Sequence, residues 1–232
     1  MKPSSGKKYL RMSLNERIQH ILLLTTFITL VITGFGLLYP EAFWVKWIVA
    51  IVGKNAFEAR GVVHRIAAVI MVFASVYHIF YIIFTKRGRR FVFDMWFNLQ
   101  DIKDMFLYLK YLIGLSKDKP KFGRFSYIEK MEYWAVIWGT VVMGATGAVL
   151  WFENEFLPII GMEGMYIATA IHLYEAVLAS LSILVWHFYF IFINPDVFPM
   201  NKAWMTGFLT REQMEHEHPL ELEQIESSNT NE

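Results

Sequence analysis

Four long apolar stretches dominate the pattern of the chain, at roughly Gln19–Leu38, Val62–Phe84, Met131–Trp151 and Ala168–Ile193. Each is long enough to cross a bilayer as a helix, which takes about 20 residues. The first carries no charged side chain, the second only Arg65, the third only Glu132 and the fourth only Glu175. Helices buried in a water-soluble bundle would show polar positions recurring at helical spacing, and a segment such as ILLLTTFITLVITGFGLL has none. The pattern predicts an all-α membrane protein, a four-transmembrane-helix bundle. The basic N-terminus runs into an apolar stretch of full span length, so it reads as a membrane segment rather than a cleavable leader.

Between the second and third spans the pattern changes. The basic run KRGRR is followed by Leu99, Ile102, Met105, Phe106, Leu109, Leu112 and Ile113 at helical spacing, with Asp101, Lys103, Asp104 and Lys110 between them. This predicts a helix over about 96–115 that lies on the cytoplasmic membrane surface or packs against a partner. Past Pro195 the chain turns acidic and ends in EHEHPLELEQIESSNTNE, which reads as a frayed tail. His216 and His218 fall there as solvated residues. The expected division is a four-helix domain over 1–200 and an acidic cytoplasmic tail over 201–232.

Charge sets the orientation. Eighteen lysines and arginines flank the spans on the side of the two termini, against three on the opposite side. Both termini are therefore expected in the cytoplasm, in a multi-pass protein of the bacterial inner membrane. The formal charge of +1 argues against a nucleic-acid partner. The chain has no cysteine, which excludes thiolate zinc sites, iron–sulfur ligation and c-type haem attachment within it.

Five of the seven histidines lie in or at the ends of spans: His20, His64, His78, His172 and His187. Ionisable groups at membrane depth are costly and point to function. His64 and His78 are 14 residues apart, and His172 and His187 are 15 apart. At about 100° per residue each pair stays on one helix face, its members roughly 21–23 Å apart along the axis. The second and fourth spans both start on the outer side, so His64 and His172 share an outer level while His78 and His187 share an inner one. Facing imidazoles at one depth can hold a haem iron from both sides. The pattern predicts two b-type haems, one at each level. His20 opens the first span at the inner depth, so three histidines compete there for two axial positions, and a third haem at His20 is a further option.

NERIQHILLLTTFITLVITGF resembles the first span of the b-type cytochrome subunits of formate dehydrogenase and nickel–iron hydrogenase, and KFGRFSYIEKMEYWAVIWG is similar to their approach to the third span. This resemblance covers about residues 14–200. It implies an inner-haem ligand at His20, an outer ligand at His64 and a fourth-span pair at His172 and His187. It also implies a menaquinone pocket to which the Ser126 segment contributes. HRIAAVIMVFASVYH is instead similar to the second span of the cytochrome b of bc-type quinol complexes, where both histidines bind haem. That likeness, with the helical spacing, favours His78 beside His187 and leaves His20 as a neutral imidazole near the quinone.

Other residues extend these expectations. Arg65, and after it Arg60, are candidates for pairing with a haem propionate. The glycines of the first and third spans suit either a macrocycle close to the backbone or helix–helix contact. Glu175, one turn inward from His172, is an acid at membrane depth that stays protonated or moves a proton. Ser126, Tyr127, Glu129 and Lys130 offer polar groups for a quinone (menaquinone or ubiquinone), while Ser126 and Glu129 also match a capping box. Without a flavin or substrate motif, the primary reaction must sit on another subunit, a periplasmic multihaem cytochrome c or an iron–sulfur dehydrogenase subunit. The competing reading is a haem-free anchor or small transporter whose histidines bind substrate or relay protons.

Overall fold

The computed structural model describes residues 6–53 and 55–230. In chain order the elements are β1 (Lys8–Leu10), α1 (Leu14–Leu38), α2 (Phe43–Val52), α3 (Ala56–Phe84), α4 (Lys86–Asp94), α5 (Leu99–Leu112), α6 (Tyr127–Trp151) and α7 (Glu153–Leu181). Two wider π-type stretches, Ser182–His187 and Tyr189–Ile193, prolong α7, and α8 (Ala203–Thr206), β2 (Phe208–Thr210), α9 (Arg211–Glu217) and α10 (Pro219–Thr230) follow. α1, α3, α6 and the prolonged α7 are the four spans. A 25-residue helix such as α1 is about 37 Å long, enough for a hydrocarbon core of about 30 Å.

Both α1 and α6 begin upstream of the apolar runs because capping boxes start them there. Ser13 accepts from the Glu16 backbone N–H while Glu16 accepts from the Ser13 N–H, and Ser126 with Glu129 repeats the arrangement. Within the spans, hydroxyls such as Thr25, Thr29 and Thr146 donate to carbonyls one turn back, so no polar group faces lipid unpaired on their account. α1 packs along α3, and α6 along α7, giving two hairpins with only sparse helix contact between them. Two elements on the side opposite the termini were not expected. α2 is a short apolar helix, and the acidic connection after α6 is helical from Glu153, with its break at Gly161, where φ is 67°.

On the termini side, Glu16 ties three helices together: Tyr81 of α3 donates to it at 3.0 Å, and the Arg87 guanidinium of α4 holds both its oxygens. α5 forms where the pattern predicts, with an unexpected face inward. Asp101, Asp104 and Tyr108 are its buried residues, and Lys130 of α6 reaches both Asp101 oxygens at 2.9 Å. The flank bearing Leu99, Ile102, Phe106 and Leu109 faces outward, with Leu99 78% exposed. Losing one partner of the buried Lys130–Asp101 pair would cost about 3–5 kcal/mol, because the other charge would stay buried and unpaired.

The expectation of a frayed tail is overturned. β2 pairs antiparallel with β1, Lys8 opposite Thr210 and Leu10 opposite Phe208, the one departure from an all-α chain among the described residues. Tyr9, Ala203, Leu209, Met214 and Leu222 close into a core, Leu209 and Met214 almost without exposure. The acidic composition misled because one member of the cap's core, Tyr9, lies at the other end of the chain and joins the rest only through the pairing of β1 with β2. His216 is exposed as expected, but His218 is buried.

The His218 Nδ1–H donates to the Gly123 carbonyl at 2.9 Å, and Arg11 approaches Nε2 at 3.1 Å as donor. Burial, helped by the Arg11 cation, pushes His218 down to about 4, while burial pushes neighbouring Glu217 up to about 7 despite the Asn201 hydrogen bond. From about pH 4 to 6.5 the folded cap binds fewer protons at His218 than the unfolded chain, so that contribution to stability grows with pH. From about 4.5 to 7 it binds more at Glu217, so that contribution shrinks as pH rises. The two trends oppose each other. His218→Gln keeps a donor and an acceptor but removes the first trend. Its cap should lose amide-exchange protection steadily from about pH 4.5 to 7, where the native cap holds nearly level up to about 6.5. Matching profiles for the two proteins would refute this.

Candidate functional site

The outer level is built twice from the same parts. His64 of α3 meets Thr33 of α1, Nδ1 to Oγ1 at 2.8 Å, and His172 of α7 meets Thr146 of α6 at 2.9 Å. Each threonine hydroxyl donates to a carbonyl one turn back, Thr33 to Thr29 at 2.6 Å and Thr146 to Val142 at 2.7 Å. The threonine oxygen is therefore the acceptor, Nδ1 carries the proton, and the Nε2 lone pair of each histidine remains available. A glycine follows each threonine. A Cβ on Gly34 would stand 3.6 Å from His64 Cε1, and one on Gly147 only 3.3 Å from His172 Cε1. At Gly147 the bare backbone makes room for the imidazole, whereas a Cβ at Gly34 would stand in ordinary contact with the ring. The repeated Thr-Gly pair was visible in the sequence, as a dipeptide late in the first and third spans.

The inner-level candidates are His20 of α1 and His187, which follows α7. His187 Nδ1 lies 2.9 Å from a carboxylate oxygen of Glu132 on α6. His187 ends the first π-type stretch, whose wider turns advance less than 100° per residue and so rotate it back toward the face that carries His172. His20 Nδ1 is the one histidine nitrogen that is buried without a hydrogen-bond partner among the described residues. Its ring stands beside Trp204 of the cap, with centroids 6.0 Å apart.

His78 is differently placed. Its Nδ1 lies 2.7 Å from Gln19 Oε1, and its Nε2 lies 3.0 Å from the Tyr133 hydroxyl. The amide oxygen can only accept, so Nδ1 donates to it and Tyr133 donates to Nε2. The chain continues as Gln19 donates to Asn15 and Asn15 to Tyr77. Both ring nitrogens are thereby committed.

The remaining candidates are distributed around these levels. Arg60 donates to the Thr33 carbonyl at 3.1 Å, and its buried Nε has no partner among the described residues. Arg65 is exposed and lies over the Trp151 ring at 5.3 Å, reaching from one hairpin to the other. Glu175 lies against Gly139, whose Cβ, if present, would fall 2.8 Å from its carboxylate. Ser126 and Glu129 form the α6 cap, Lys130 is held by Asp101, and Tyr127 is buried with Tyr108, Phe122 and Ile128. Burial pushes the Tyr108 hydroxyl up to about 12. Sequence reasoning missed Thr33, Thr146 and the His187–Glu132 contact. Their signal is a polar residue in an otherwise apolar span, with a histidine in the next.

A haem site needs ring nitrogens free to coordinate, a partner that orients the other nitrogen, and room beside the backbone. His64 and His172 each meet these conditions, while His187 is an oriented ring and His20 carries an unsatisfied buried nitrogen. The family described as prokaryotic cytochrome b561 matches residues 11–201. The formate dehydrogenase cytochrome b556(fdo) subunits of Escherichia coli strain K12 and of Escherichia coli O157:H7 are each 24% identical over 194 residues, which is 83% of either chain.

Proposed function

The chain belongs to the prokaryotic cytochrome b561 family, b-type cytochromes of the membrane that work in electron transfer. From that premise we propose that it carries electrons between a quinone and a partner redox subunit through two b haems, one at each histidine level. The observation that carries this reading is that His64 and His172, on different hairpins, are each oriented by a threonine through Nδ1. A haem bound between such histidines supplies one-electron chemistry. His64 and His172 hold the outer haem, and His20 and His187 the inner one. Arg60, beside Thr33 with a free buried nitrogen, is the better-placed propionate partner, and Arg65 serves as the second. The family membership weighs against a haem-free transporter.

The termini face the cytoplasm, following the lysine and arginine bias. The apolar flank of α5 then rests in the cytoplasmic leaflet, with its polar stripe turned to the bundle. The quinone exchanges at the inner level, where Ser126, Tyr127, Glu129 and Lys130 fix the start of α6 against α5. The partner, a multihaem cytochrome c or a dehydrogenase subunit like those that the relatives' name implies, docks outside over the helical 152–167 segment.

A visible spectrum of the purified chain tests the core of this reading. Reduced b-type bands are expected, and a gently purified protein without them would sink it. Topology has its own test, helped by the absence of native cysteine. Lys103 is exposed, whereas Asp101 is buried against Lys130, so Lys103→Cys is the informative variant. It should react with an impermeant maleimide only in inverted vesicles. Reaction in intact cells would reverse the orientation.

A further inference from the structure

The two levels differ in what stands behind their histidines. Both outer rings donate Nδ1–H to a neutral threonine oxygen, but His187 donates to the carboxylate of Glu132. Glu132 is the only charged residue in the apolar run of the third span. Its second oxygen, Oε1, is buried with no hydrogen-bond partner among the described residues. A carboxylate held so incompletely at the membrane boundary is costly and calls for a function. Cap formation does not explain it, because Ser126 and Glu129 complete the α6 cap without it.

We propose that Glu132 is the positioning residue that sets the redox potential of the inner centre, holding it below the value its two histidines alone would give. The inference rests on His187 as an inner ligand. A carboxylate that accepts the Nδ1–H draws the proton toward itself and makes the ring more basic at Nε2. A more basic ligand, with a negative charge just behind it, favours the oxidised and more positive iron. The same contact fixes the ring about its Cβ–Cγ bond where the π-type turns leave the backbone less regular. The threonines behind His64 and His172 orient those rings without this charge, so the outer centre lacks the effect.

Glu132→Gln keeps the shape and an acceptor oxygen while removing the charge. Potentiometric titration of the purified full chain, followed in the visible bands, should show both haems retained and the inner midpoint raised. The outer midpoint should be unmoved. The expected change is about tenfold in the reduction equilibrium, which is about 59 mV for a one-electron couple. An inner midpoint that stays in place, or an outer one that moves instead, overturns the proposal. His187→Ala, measured beside it, separates the two levels of inference. Retention of both haems in that variant would remove the ligand reading itself, whereas loss of the inner haem there with no shift in Glu132→Gln would refute Glu132 alone.

Discussion

Replacing His64 or His172 with alanine is expected to halve the haem content and leave the inner centre with its own midpoint unchanged. The two residues come from different hairpins, each with its ring against a glycine and its Nδ1 against a threonine. Among the described residues no third histidine stands at their depth to replace either. Removing one leaves a single axial nitrogen, and the hairpins have little direct helix packing to hold them together at that level. Haem should therefore be lost and not merely altered. Thr33→Val and Thr146→Val test the same geometry more gently. They keep the ligands but free the rings, and a weakening of haem retention by about 10–100-fold is expected from the loss of such an orienting partner. Pyridine haemochrome assay with redox titration reads both effects. If either alanine variant kept two haems with unaltered titration, the outer pairing would be wrong.

The spans were legible because a bilayer demands about 20 apolar residues with internal hydrogen bonding, and few soluble helices imitate that. The depth expected for each histidine rests on residue counting, since helical rise is nearly constant. Which histidines face one another was less legible. Counting assumes 100° per residue throughout, and the π-type turns at Ser182–His187 break that assumption where the inner level is decided. The cap escaped for another reason. Its core joins Tyr9 to Leu209 and Met214 across almost the whole chain, a long-range pairing that no local pattern announces. α5 was found as a helix but not as one whose acidic stripe packs inward, because the buried Lys130 that neutralises Asp101 belongs to another element. Ser126 and Glu129 show the reverse case. There the sequence allowed both a cap and a ligand role, and the local hydrogen bonds form the cap.

His20→Ala is expected to lose the inner haem, while His78→Ala keeps it. Helical spacing favours His78, which shares a face with His64, but the hydrogen bonds favour His20. Both nitrogens of His78 are engaged, by Gln19 at 2.7 Å and Tyr133 at 3.0 Å, so coordination would require giving up one of these bonds. His20 would give up nothing at Nδ1, which is buried without a partner among the described residues. His78→Ala still does damage of another kind. It strands Gln19 and Tyr133, and a buried polar group left unpaired costs about 1–3 kcal/mol. It also cuts a hydrogen-bonded line that joins the α1/α3 hairpin to α6. The His78 variant should thus melt earlier with its haem complement intact, and the His20 variant should lose haem with the His78 line undisturbed. Haem content, redox titration and thermal denaturation of the two variants side by side separate these outcomes. Loss of the inner haem in His78→Ala, with retention in His20→Ala, would reverse the assignment and make His20 the imidazole beside the quinone.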